Sequence, residues 1–347
     1  LIHPLYAVLP GNVDDPAAPS GGNLYDRKVL DLLAADRDVQ EILVDGTWPS
    51  PDTAARDALA AALHDLPDHA DVLVDGLVGC GVPEILEPHA HRVRLIVLVH
   101  LPLSDETGLS AAHAMFLRER ERRTLLAADT VIATSRAAAH RLADLHDGVH
   151  GVAVVEPGVD PAPLASPQPG GERLLCVASV TPRKGQDLLV RVLEDDLADL
   201  DWSCTFVGAL AHPVPYHHPK IHFVGPRTGV ALAQAYGQAD LFVLPSRAET
   251  YGMVVTEALA RGLPVIATAV GGLPEALGTA PDGSLPGVLL PKDDRAALAE
   301  ALRSWLTDAA MRDRLRARAR ARRERLPAWS DTARRLGAVL DARGDHA

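Results

Sequence analysis

The stretch Leu244–Leu277, LPSRAETYGMVVTEALARGLPVIATAVGGLPEAL, decides how the whole chain is read. The apolar run DLFVLPS leads into it and stops at Pro245-Ser246-Arg247, as a strand does where proline removes a ladder donor. From Tyr251 or Gly252 the pattern becomes helical. PVIATAV then restores a continuous apolar run. A buried strand, a helix and a second buried strand are the repeating unit of a parallel sheet covered on both faces.

Two acids flank the start of that helix. Glu249 stands in the loop, and Glu257 follows eight positions later. The first N–H groups of a helix have no intrahelical acceptor and favour an anion, so Thr250, Tyr251, Gly252, Met253 and Val254 present an anion-binding backbone. Gly252 lets a ligand come close. An anion needs no carboxylate beside it, so the acids must serve another purpose. Carboxylates accept hydrogen bonds from hydroxyls. At a rise of ~1.5 Å per residue, Glu257 lies just beyond the first turn, within reach of a second polyol. Carboxylate, diphosphate, carboxylate is the order that a nucleotide sugar would meet with its hexose, its diphosphate and its ribose.

The same alternation runs outward in both directions. YAVLP, QEILVDG, DVLVDG, RLIVLVH, TVIATS and GVAVVE read as buried strands of one parallel sheet, with helical patterns such as NLYDRKVLDLLAA between them. Leu1–Pro10 lacks the basic flank of a signal peptide and reads as the first strand. Glu156–Glu172, rich in proline and glycine and without periodicity, reads as a linker. RLLCVASV, WSCTFVG, KIHFVG, DLFVLPS, PVIATAV and GVLLP then form a second sheet. The expected domains are 1–160 and 173–327, with a C-terminal helix over 328–343 packing back on the first. The arginine-rich segment 312–325 reads either as a solvated helix face or as a basic face for weak peripheral contact with an anionic membrane.

The totals agree with a two-domain α/β protein. At 347 residues the chain is long for one core. Apolar residues at 47% and charged residues at 23% are those of a globular chain, and a net charge of -12 argues against a nucleic-acid partner. No apolar run is long enough for a membrane span. Cys80, Cys176 and Cys204 form no pairwise motif, which suggests buried thiols in a reducing, cytoplasmic compartment.

Open α/β sheets bind ligands beyond the carboxyl ends of their strands. Three other strand exits qualify. Gly21 and Gly22 precede a helix, either as part of an anion site or as an ordinary entry turn capped by Ser20 or Asn23. His100 ends a strong strand, and a lone histidine there is either structural or functional. Arg183 and Lys184 stand at a helix entrance, a pairing of fork and point charge suited to a phosphate, or else two solvated cations. His212, His217, His218 and His222 lack the spacing of a metal site.

Over Leu174–Leu290 the chain resembles the family-4 retaining glycosyltransferases, which have the GT-B fold. The hallmark is the pair of glutamates in ETYGMVVTE, followed by EALARGLPVIATAVGGLPE. The resemblance continues more weakly through the Gly-Gly loop, His100 and RERERRTLLAADTVIATS. It implies two Rossmann-like domains facing a central interdomain cleft. It also implies that Glu249 holds the donor sugar, that Tyr251–Val254 cradle the diphosphate and that Glu257 binds the ribose. Lys184 neutralises the phosphates, Gly22 donates to them from the other domain, and His100 contacts the sugar. Glu249, His100 and Lys184 form the expected catalytic set. Ala178-Ser179-Val180 replaces the family's Gly-Arg-Leu, so either Arg183 takes over the missing charge or donor binding differs. Pro157-Gly158-Val159-Asp160 replaces Asn-Gly-Val-Asp.

The implied reaction moves a hexosyl group from a nucleotide-diphosphate sugar, UDP-linked before GDP-linked, to an acceptor hydroxyl. It proceeds with retention and without a metal ion or other cofactor. A nucleotide-sugar epimerase of the same fold and a binding protein without transfer activity are the competing readings. A phosphorylase would need a cofactor-binding lysine and a longer chain, and a dehydrogenase would need the missing glycine fingerprint.

Overall fold

The computed structural model describes residues 4–15 and 20–342. Leu1, Ile2 and His3 of the expected first strand, residues 16–19 of the loop before Ser20, and Arg343 of the expected last helix lie outside the described residues. The chain divides into two compact units, one made of 1–158 and 329–347 and the other of 159–328.

The first unit is built on β1 (Leu5–Pro10), β2 (Val39–Val44), β3 (Asp71–Asp75), β4 (Arg94–Val99), β5 (Thr130–Ala133) and β6 (Ala153–Val154). All pairings are parallel, in the order β2-β1-β3-β4-β5-β6. Helices α1 (Gly21–Leu33), α2 (Thr53–His64), α3 (Gly76–Gly79), α4 (Pro83–Leu86), α5 (Ala111–Ala127) and α6 (Arg136–Leu145) connect them. Four of these strands, β1, β3, β4 and β5, match the buried pattern read from sequence, and the edge strand β6 is half-buried. β2 does not match that pattern: it lies at a sheet edge, and Gln40, Glu41 and Leu43 are exposed. Its apolar residues gave no sign of that, because position in a sheet is a non-local property.

The helix Trp329–Asp341 returns to this unit and packs on α1. The Trp329 ring meets the Tyr25 ring edge-on at 5.8 Å, and the Thr332 hydroxyl donates to the Glu156 carbonyl at 2.9 Å. The Arg94 guanidinium donates to the Leu340 carbonyl and, at 2.9 Å, to that of Ala342.

The second unit holds β7 (Arg173–Val177), β8 (Ser203–Val207), β9 (Ile221–Phe223), β10 (Leu241–Leu244), β11 (Val265–Thr268) and β12 (Gly287–Leu290). They are all parallel, in the order β12-β11-β10-β7-β8-β9. Its helices are α7 (Gln186–Arg191), α8 (Gly229–Gln238), α9 (Met253–Ala260), α10 (Leu273–Leu277), α11 (Arg295–Thr307) and α12 (Ala309–Arg323). The chain leaves β7 in one direction and returns on its other side as β10. The exits of β7 and β10 therefore flank a topological switch point, where such sheets open a crevice. In the first unit β1 and β3 flank the equivalent position.

The segment expected to be a linker is a coat on the second unit from Val159 onward. Val159, Ala165 and Ser166 donate backbone hydrogen bonds to the carbonyls of Pro327, Arg261 and Gly237. The arginines of α12 are also largely spent inside that unit, contrary to a merely solvated face. Arg312 is buried and donates to the carbonyls of Pro169, Trp305 and Leu306. Arg323 donates to those of Ala260 and Ala162, and Arg316 lies over the Trp305 ring. Each arginine satisfies a helix-end or loop carbonyl that burial would otherwise strand. All three cysteines are buried free thiols. Among the described residues no helix is long and apolar enough to cross a membrane.

Candidate functional site

In the second unit the site forms at the exits of three adjacent strands: β7, β10 and β11. Glycines make the close approach possible. Gly185, after β7, has φ +71°, and a Cβ there would lie 2.1 Å from the Pro245 carbonyl oxygen. Gly271, after β11, has φ +49°, and its Cβ would fall 1.6 Å from the Glu249 carbonyl oxygen. The Gly272 N–H donates to that same carbonyl at 3.2 Å. Only glycine fits at either place. The pair Gly271-Gly272 thus cradles the loop bearing Glu249, a role that sequence reading missed although the doubled glycine after a strand was visible.

Glu249 is 94% shielded by these contacts, its side chain retaining 6% exposure. Lys184 Nζ donates to Oε1, and the Ser246 hydroxyl donates to the same oxygen at 3.0 Å. Arg183 Nη1 lies 3.7 Å from Oε2 and donates to the Ala248 carbonyl at 3.1 Å. The buried Nε of Arg183 has no hydrogen-bond partner. Sequence reading gave the cations and the acid separate tasks. The fold brings them into one cluster of two cations, one carboxylate and one hydroxyl. Ser246, from the same motif, is a member that its residue type alone does not mark.

Helix α9 begins at Met253, two residues later than its earliest expected start. Gly252 is its N-cap, with φ +95°, and no side chain caps it. Thr250 and Tyr251 therefore belong to the loop. The Tyr251 side chain is in the core, so only its backbone faces outward tasks. Gly252, Met253 and Val254 form the uncapped entrance, whose first-turn N–H groups carry partial positive charge. Glu257 lies one turn along. The buried Tyr236 hydroxyl donates to its Oε2 at 2.8 Å, and Arg261 lies over the Tyr236 ring at 4.5 Å. Burial lifts the Glu257 carboxyl above its usual range, while Tyr236 and Arg261 pull it back and Asp160 pushes it up. Tyr236 is a second residue that sequence reading did not single out.

In the first unit, Ser20 caps α1 by accepting from the Asn23 N–H at 3.0 Å, and Gly21 and Gly22 open the helix. Gly22 lies against His100: a Cβ would be 3.0 Å from its Cδ2. His100 Nε2 is 2.8 Å from Oδ1 of Asp26, which is 3% exposed. The register that pairs Asp75 with Leu98 sets Asp75 at the neighbouring strand end, and it too is buried. The donor atoms of Asp26, Asp75 and His100 all lie within 4.8 Å of one another. Burial and the Asp26 charge push the Asp75 carboxyl up to about 7. Burial opposes the charge on His100, yet Asp26 and Asp75 overcome it and raise its pKa to about 9. The raised pKa values of Asp75 and His100 favour a proton shared within this cluster. Of the four histidines between 212 and 222, none belongs to a cluster of metal-ligating type among the described residues.

The sequence pattern of the group 1 glycosyl transferases matches residues 171–308, which hold the whole second-unit site. A D-inositol 3-phosphate glycosyltransferase 1 of Catenulispora acidiphila is 32% identical over 310 residues, covering 78% of this chain and 71% of the relative. One of Kineococcus radiotolerans named D-inositol 3-phosphate glycosyltransferase is 33% identical over 61% of this chain, and the match spans 57% of its own length. The chain belongs to the group 1 glycosyl transferases. Its fold is shared with a sucrose-phosphate synthase of Thermosynechococcus elongatus, at a TM-score of 0.76 and 22% identity over 97% of this chain and 98% of that one. It is shared also with the Anabaena protein HepE, solved in complex with UDP-glucose, at 0.74 and 17% identity over 98% and 100%. Both likenesses support the GT-B architecture of two Rossmann-like α/β domains.

Proposed function

We propose that the chain is a retaining glycosyltransferase that moves a hexosyl group from a nucleotide-diphosphate sugar, UDP-linked by preference, to an acceptor hydroxyl. The observation that carries the reading is the second-unit cluster. Lys184 and Arg183 converge on Glu249 beside the uncapped start of α9, with Glu257 one turn along. Two cations and a helix N-terminus suit a diphosphate, and the acids on either side suit the hydroxyls of a hexose and a ribose. The UDP-glucose bound to HepE is the chemistry this arrangement fits.

In the reaction the bond from the anomeric carbon to the diphosphate oxygen breaks, and one to the acceptor oxygen forms. Lys184, Arg183 and the α9 entrance take up the charge developing on the leaving diphosphate, so the step requires no metal ion. The acceptor's proton passes to a phosphate oxygen on the same face. Glu249, engaged by Lys184 and Ser246, holds sugar hydroxyls and is not a covalent nucleophile.

A panel of nucleotide sugars screened by thermal shift, followed by nucleotide release with candidate acceptors in the presence of a chelator, tests the reading. A matched donor at ~100 times its dissociation constant adds roughly 2.7 kcal/mol to stability. No stabilisation by any donor would reject a nucleotide-sugar site. Stabilisation without release for any acceptor would favour a binding protein. A product of inverted anomeric configuration would overturn retention.

A further inference from the structure

We propose that Asp26 is a positioning residue that holds His100 as an imidazolium, committing Nε2 to the protein and leaving Nδ1–H to donate to an oxygen of the donor. The inference rests on the proposed function together with the expectation, implied by the family resemblance, that His100 contacts the donor sugar. Its basis is geometric. Asp26 Oδ1 lies 2.8 Å from Nε2, and Asp26 sits almost wholly out of water on α1. The backbone of Gly22 closes one edge of the ring, and Tyr25 meets it at 69° with centroids 5.2 Å apart. The ring therefore has little rotational freedom. Nδ1 has no hydrogen-bond partner among the described residues, and the side chain keeps 17% exposure.

The titratable groups packed on the ring are Tyr25 and Asp26 from α1 and Asp75 from the end of β3. Asp26 is the dominant partner favouring the charged ring. Asp26 Oδ2 has no protein hydrogen-bond partner, although Asp75 lies beside it. With Asp75 raised to about 7, a carboxylic acid is available to share its proton there near neutral pH. A neutral imidazole with Nε2–H on Asp26 would present a lone pair at Nδ1, which repels a phosphate oxygen and is met by a sugar hydroxyl only when that hydroxyl donates. A protonated ring presents a donor. The oxygen served is a hydroxyl of the sugar or an oxygen of the diphosphate.

The test is an NMR titration of the His100 ring in the full chain, assigned by comparison with His100→Asn. The expected midpoint is about 9, falling by roughly one to three pH units in Asp26→Asn. The alkaline limb of kcat/KM should follow the same two midpoints, and Asp26→Asn should regain turnover as the pH is lowered. If the oxygen belongs to the diphosphate, affinity for free UDP will show this limb. If it belongs to the sugar, only UDP-sugar binding will. A wild-type midpoint near 6.5 overturns the inference without needing any folded Asp26 variant, as does a midpoint that Asp26→Asn leaves in place. A raised midpoint with no donor binding at any pH would uphold the pair and reject the donor reading beneath it.

Discussion

Glu249 and Glu257 are both acids in one short motif, yet their surroundings divide them. Glu249 is held by two cations and a hydroxyl, so it is fixed and placed beside the phosphate-binding residues. Glu249→Ala would leave Lys184 without its counter-ion as well as removing the sugar's acceptor. We expect kcat to fall by roughly 100-fold or more, with free UDP bound no more weakly than in the wild type. Near-normal turnover would remove Glu249 from the mechanism. Glu257 is gripped by Tyr236 and is only partly exposed. Glu257→Gln should weaken UDP binding by roughly ten- to a hundredfold, the scale of a lost charge-assisted hydrogen bond. Isothermal titration with UDP measures it, and unchanged affinity would end the division of labour between the acids. Both glutamates, and Lys184 and Arg183, were legible in the sequence as residue types at strand exits. Asp26, Asp75 and Tyr236 were not, because nothing in a helical pattern marks which polar residue faces a distant partner.

At the level of elements, the loops matter more than the strands they follow. Gly271 holds a positive φ with no room for a side chain against the Glu249 backbone. Gly271→Ala must displace the Glu249 loop. It should cost roughly 2 kcal/mol or more of stability in calorimetry and weaken donor binding with it. Wild-type stability and donor affinity in that variant would show that the two loops move independently. The strand and helix pattern was readable from apolar runs because both sheets are parallel and mostly buried, so strands appear as continuous apolar segments. The edge strands β2 and β6 escaped that rule. So did α12, whose arginines looked solvated in sequence and prove to be tied to carbonyls of their own unit. An arginine stem and fork serve burial and exposure equally well, and composition does not distinguish them.

For the whole molecule, the chain end belongs to its beginning. Trp329, Leu336 and Leu340 of the last helix are buried in the first unit. Deleting residues 329–347 should therefore lower the unfolding temperature of the first unit and leave the transition of the second where it was. Two-transition calorimetry, or limited proteolysis followed by mass analysis, would show it. Equal destabilisation of both units would contradict the division. The pH dependence of stability belongs here also. The folded pKa of His100 lies above its unfolded value near 6.5, so its contribution is complete below about 6.5 and disappears as the pH rises through about 9. The first unit should lose stability over that window, and Asp26→Asn should flatten the loss.

The sequence by itself determined the alternation of buried strands and amphipathic helices, the two-unit organisation and the acids, cations and glycines of one long motif. These are local properties, written in periodicity and in spacing along a single turn. Tertiary structure decided which of them meet. Lys184 and Glu249 are 65 positions apart, and Asp26 and His100 are 74 apart. They come together because β7 lies beside β10, and because α1 follows β1 at the switch point of the first sheet. Strand order is settled by packing helices over the whole of a sheet, a sum over the entire chain that no short stretch of it encodes.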